Sequence, residues 1–203
     1  MVIGITGGIG SGKTTVAKMF AKFKNVAIYF ADDEAKKLMN SSLLIKEALI
    51  KEFSEDVFLN GKLDRSFLAS IVFNNKEKLK TLNSIVHPVV HKHLQDFIKL
   101  NSNKSYIIYE NAILFENKSN LLCDKIITVI APLDIKIERV MARDSSTREV
   151  VISKINNQWN DDIKILQSHY IVDSQSLKEI ESNVSILHNK LTKKSLMILR
   201  MPM

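Results

Sequence analysis

Eight residues, Gly7-Gly8-Ile9-Gly10-Ser11-Gly12-Lys13-Thr14, follow the spacing glycine, four residues, glycine-lysine-serine/threonine. That pattern suits the grip of a polyphosphate. Glycines let backbone N–H groups turn inward around phosphate oxygens, and a following helix adds unpaired donors and the positive end of its dipole. Gly8, Gly10, Ser11, Gly12, Lys13, Thr14 and Thr15 therefore form the expected nucleotide-binding set, with Lys13 a point charge at the bridging and terminal phosphates and the Thr14 hydroxyl suited to ligating magnesium. A nucleoside triphosphate is the expected ligand. Asp32 is a carboxylate placed to take the proton of an acceptor hydroxyl, whereas Asp33 reads as a helix-start residue favoured by the dipole. Lys136, Arg139 and Arg143, three and four residues apart, share one helix face, and Arg148 follows. Guanidiniums closing over a transferring phosphoryl group contribute roughly 10³ to 10⁵ in rate, which makes Arg139 and Arg143 catalytic candidates beside Lys13 and Asp32.

Those residues need elements to hold them. Val2 to Thr6 is a short apolar run ended by Gly7-Gly8, as in a buried strand, and Val16, Met19, Phe20 and Phe23 then recur at helical spacing. Val26 to Phe30 predicts a second buried strand, which puts Asp32 just past a strand's carboxyl end, where α/β sheets gather their ligands. From Ser42 to about Leu100 the pattern is helical, with Asn60-Gly61 as a turn, Asp64 as an N-cap and no convincing strand. Tyr106 to Tyr109 and Lys125 to Ile130 resume the strand signal, and Pro132 fits the first turn of a helix with Leu133, Ile137, Val140 and Met141 facing the core. Ser146 to Glu149 and Ser176 to Glu179 match the capping box, and Tyr170 to Val172 suggests one more strand. Alternating strands and helices predict a parallel sheet covered on both faces.

The 203 residues carry 29 Lys plus Arg against 22 Asp plus Glu, a net charge of +7, but the cations are scattered without aromatic interleaving. A nucleic-acid partner is therefore not expected. One cysteine, Cys123, excludes an intrachain disulfide framework and points to a cytoplasmic address, and no charged leader or membrane-length apolar run suggests secretion or a membrane partner. His87, His91 and His93 do not form a convincing metal set, because Pro88 is expected to push His87 out of helical geometry. The strings Asp-x-x-Gly and Asn-Lys-x-Asp of guanine-nucleotide switches are absent, and Tyr106 to Glu110 matches only partly the strand of motor and transporter ATPases. A small kinase with its own acceptor pocket remains.

Several separated stretches together resemble the dephospho-coenzyme A kinase family: Ile5 to Thr14, Ala31-Asp32 with Ala35-Lys36, His87-Pro88, Leu114-Phe115-Glu116, and Arg139 to Asp144 with Thr147-Arg148-Glu149. The match runs from Val2 to about Leu191. It departs at Phe30, where the family has Asp, at Glu110-Asn111-Ala112 in place of Asp-Val-Pro, and at Ser174 and Ser176 in place of Asn and Gly. The resemblance implies an α/β P-loop NTPase fold of the nucleoside and nucleotide kinase type, a parallel sheet with helices on both faces, a helical substrate-binding insertion and a lid. In this single domain the nucleotide-binding core falls at about 1–35, 104–132 and 165–195, the insertion at about 36–103 and the lid at about 133–160. It further implies ATP-dependent phosphorylation of the 3′-hydroxyl on the adenosine ribose of dephospho-coenzyme A, the last step of coenzyme A synthesis, with Mg²⁺. Asp32 would be the base, and Asp32, His87, Leu114, Phe115 and Glu116 would bind the acceptor. A monomer is plausible. Another small-molecule or nucleoside monophosphate kinase, or a basic nucleic-acid-binding ATPase, would share the phosphate loop alone.

Overall fold

The computed structural model describes residues 1–72 and 75–198. In chain order the elements are β1 (Val2–Thr6), α1 (Lys13–Phe20), β2 (Val26–Phe30), α2 (Ala31–Ser41), α3 (Leu43–Phe53), β3 (Phe58–Leu59), β4 (Lys62–Leu63), α4 (Arg65–Val72), α5 (Lys76–Leu100), β5 (Tyr106–Glu110), β6 (Lys125–Ile130), α6 (Leu133–Asp144), α7 (Arg148–Asn156), α8 (Asp161–Leu166), β7 (Tyr170–Asp173) and α9 (Leu177–Ile198). The chain divides into two compact units, Met1–Phe30 with the chain from Asn101 onward, and Ala31–Leu100.

The first unit is built on a five-stranded parallel sheet in the order β2-β5-β1-β6-β7. β1 and β5 are buried at every position, as continuous apolar strands in the middle of a parallel sheet must be. Ile3, Ile5, Ile108, Ile127, Val129 and Val172 from the strands pack with Val16, Ala17 and Phe20 of α1 and Ile180, Val184, Leu187 and Leu191 of α9. Register sets the functional edge: Ile5 pairs with Glu110 and Thr6 with Thr128, so the segments after β1, β5 and β6 all leave the same end of the sheet. Burial, with the neighbouring Asp124 carboxylate adding to it, pushes the Cys123 thiol up to about 12 and leaves it unreactive at neutral pH.

The second unit is a helical body around Ile45, Leu49, Val57, Leu63, Leu68, Val72 and Val86. Two sequence expectations are corrected there. Asn60-Gly61 joins a two-residue hairpin, β3 with β4, a pairing too short to register as apolar alternation. Pro88 lies inside α5, which continues through it, so His87 is helical after all. Val86 and Leu94 anchor α5 on either side of the proline, and that packing overrides the local cost of a missing donor. Asp64 caps α4 as expected, accepting the Phe67 N–H at 2.9 Å. Among the described residues no helix is long and apolar enough to cross a membrane.

Candidate active site

The loop between β1 and α1 holds its shape with few bonds of its own. Ser11 N–H donates to the Gly8 carbonyl at 3.1 Å, and the buried Lys13 ammonium reaches the same carbonyl, also at 3.1 Å. Gly10 sits at φ +79°, and a Cβ there would collide with the Lys136 carbonyl. Only glycine lets α6 approach so closely. Ile9 joins Ile137, Val140, Val151 and Ile155 in a small apolar cluster, which ties the loop to α6 and α7. The first half of the loop is also braced by side chains: Gln158 Oε1 accepts the Ile9 N–H at 2.8 Å and Asp161 Oδ1 accepts the Gly8 N–H at 3.3 Å. Lys136 backs this brace through Asp161 Oδ2 at 2.6 Å, with both side chains mostly enclosed.

A cavity of about 450 Å³ opens over the second half of the loop, lined by Gly10, Gly12, Lys13, Thr14, Thr15, Lys18, Arg139, Val140 and Arg143. Five of the expected nucleotide-binding residues meet there, together with Arg139 and Arg143. Arg139 is held by two hydrogen bonds to Ser174, whereas Arg143 pairs with Asp144 at 2.7 Å and holds that carboxyl below the usual carboxylate range. The basic face expected on α6 is thus divided. Lys136 turns into the brace and lines a separate cavity of about 530 Å³ with Gly8 and Trp159, while Arg148 makes an exposed bridge to Asp134. Ile137 and Val140 are buried as expected, but Leu133 is 53% and Met141 36% exposed, because the buried stripe of α6 is narrower than the periodicity suggests. Thr147, not Ser146, is the N-cap of α7, and the Ser146 hydroxyl is a buried group without a partner.

Thr14 and Glu110 form the oxygen-rich corner. The Thr14 hydroxyl donates to Glu110 Oε1 at 3.4 Å, and Glu110 is 5% exposed at the end of β5. Hydroxyl and carboxylate oxygens are hard ligands that fit Mg²⁺, which keeps most of its water and substrate ligands and needs few from protein. In sequence Glu110 stood out as the acid ending an apolar strand and as a departure from the family pattern, but it was not named as a site residue.

The stretch after β5 is more structural than expected. Leu114 is fully buried, and Phe115 is 4% exposed and stacks on Trp159 with ring centroids 6.2 Å apart. Glu116 pairs with Lys164 at 2.9 Å and accepts the Trp159 N–H at 3.0 Å. Lys164, 0% exposed, also donates to the Ala112 carbonyl at 2.8 Å. It was missed because one lysine in a charged helical segment carries no sequence signal of burial. In the second unit, Asp32 is exposed in the first turn of α2, two residues past the end of β2, and His87 is exposed on α5.

The family model described as dephospho-CoA kinase matches residues 1–179. The chain belongs to the dephospho-CoA kinase family. A dephospho-CoA kinase of Fusobacterium nucleatum is 36% identical over 177 residues, covering 87% of this chain and 90% of that relative. Among solved structures, TT1252 from Thermus thermophilus superposes with a TM-score of 0.82 at 29% identity, covering 95% of this chain and 98% of that one. Dephospho-CoA kinase from Campylobacter jejuni shares the fold at a TM-score of 0.62 and 22% identity, covering 95% and 97%. Membership in the dephospho-CoA kinase family agrees with the parallel sheet and with a phosphate loop formed at its ligand edge.

Proposed function

We propose that this chain transfers the γ-phosphoryl group of ATP to the 3′-hydroxyl of the adenosine ribose of dephospho-coenzyme A, giving coenzyme A and ADP in the cytoplasm. The observation that carries the reading is the cavity in which Lys13, Thr14, Arg139 and Arg143 converge over the phosphate loop. Loop amides and Lys13 bind the β and γ phosphates, and the arginines neutralise charge on the polyphosphate. Thr14 and Glu110 would hold magnesium, whose chemistry there would be further neutralisation of polyphosphate charge. Asp32 takes the proton of the ribose hydroxyl, and Asp32 and His87 bind the acceptor. Water must be kept from the γ-phosphate, because water is itself an acceptor.

The test is ADP release followed with and without acceptor. Release that depends on dephospho-coenzyme A, and that nucleosides and nucleoside monophosphates do not support, is the expected result. Release indifferent to dephospho-coenzyme A would reject the assignment.

A further inference from the structure

Ser174 stands directly after β7, its N–H donating to the Ile130 carbonyl at 2.9 Å so that the parallel ladder with β6 runs one residue further. It is 1% exposed. Its hydroxyl donates to the Ser11 carbonyl of the phosphate loop at 2.6 Å and accepts from Arg139 Nη1 at 2.9 Å, while its own carbonyl accepts Arg139 Nη2 at 2.7 Å. Gly12 lies alongside, and a Cβ there would approach Ser174 Oγ to 3.1 Å and Arg139 Nη1 to 3.6 Å. One small group, with a proton to give and lone pairs to receive, therefore joins sheet, loop and guanidinium. An arginine normally loses much rotamer freedom when it binds a ligand, and bonds formed in advance reduce that loss.

We propose that Ser174 is a positioning residue for nucleotide binding, holding Arg139 aimed into the polyphosphate cavity and fixing the second half of the phosphate loop beside it. Arg139 is then a standing cation of the site, not a finger brought in by lid closure. The inference rests on the reading of this cavity as the nucleotide site. It also accounts for serine where the family resemblance has asparagine: a carboxamide likewise combines donor and acceptor in one side chain, through its NH2 and its carbonyl oxygen.

The experiment compares wild type, Ser174→Ala, Ser174→Asn, Arg139→Ala and the Ser174→Ala/Arg139→Ala double variant. ATP binding is measured by calorimetry, and turnover is measured with dephospho-coenzyme A at fixed ionic strength. Ser174→Ala is expected to raise the Kd and KM for ATP about tenfold, the size of one charge-assisted hydrogen bond, with kcat within about twofold of wild type. Ser174→Asn is expected to restore binding, and in the Arg139→Ala background Ser174→Ala is expected to cost much less than in wild type, because only its bond to the Ser11 carbonyl is left to lose. Equal losses in both backgrounds would overturn the inference, as would a fall in kcat with ATP affinity untouched or a melting-temperature loss alone. Ser174→Cys, close in size with a weakly bonding thiol, carries the comparison if the alanine variant does not fold. Arg139→Ala with normal ATP affinity would sink the nucleotide-site reading itself, whereas an Arg139 effect uncoupled from Ser174 sinks only this inference.

Discussion

Arg139 and Arg143 lie four residues apart on α6 and line the same cavity, yet their commitments differ: one is tied to the end of the sheet, the other to the neighbouring Asp144. Spacing predicted the shared face, but it cannot say which cation is anchored, because the anchor, Ser174, lies 35 residues away in sequence. Lys136 shows the same limit, since the partner that removes it from the basic face is Asp161. The loop residues were legible because their chemistry is local: glycines, lysine and threonine in one run can do little else. Asp32 belongs to this scale too. For Asp32→Asn we expect kcat to fall roughly 10²- to 10⁴-fold, the usual worth of a positioned base, with ATP affinity within about twofold of wild type. Parallel measurement of kcat and ATP Kd checks it, and a matched loss in both would argue against the base.

At the scale of elements, α8 is fastened to the stretch after β5 by Lys164, whose ammonium is out of solvent and bonded to Glu116 and the Ala112 carbonyl. Removing one partner of a buried pair leaves the other charge unpaired, which costs more than the pair contributes over an apolar replacement. Lys164→Met should therefore lower stability by about 3 kcal/mol, and adding Glu116→Gln should recover much of it. Urea unfolding of the two variants is the measurement; equal destabilisation by both would mean that Glu116 is not the stranded charge. Element boundaries were legible where caps and apolar periods agree, as at Asp64. They were missed where packing decides, as in α5 running through Pro88, and where two candidate caps adjoin, as at Ser146 and Thr147.

At the scale of the whole molecule, His188 of α9 stacks on Phe23 with ring centroids 3.7 Å apart and shares a 2.7 Å hydrogen bond with the Tyr106 hydroxyl of β5. Burial holds its imidazole below the ordinary value of 6.5. The unfolded chain therefore binds the proton more readily than the folded one, so this contribution to stability is complete above about pH 6.5 and declines as pH falls toward the folded-state value. The denaturant midpoint should drop between pH 7.5 and 5.5, and by less in His188→Gln; identical pH profiles would remove His188 from the account. The strands themselves were legible in the sequence, but their order was not, because nothing local says that β5 inserts between β1 and β2. That order also bears on synthesis by the ribosome. Both neighbours of β1 lie more than a hundred residues downstream. At roughly 5 to 20 residues per second, the apolar centre of the sheet spends about 5 to 20 s on the nascent chain with both edges unpaired, an interval in which holdase chaperones have a natural target.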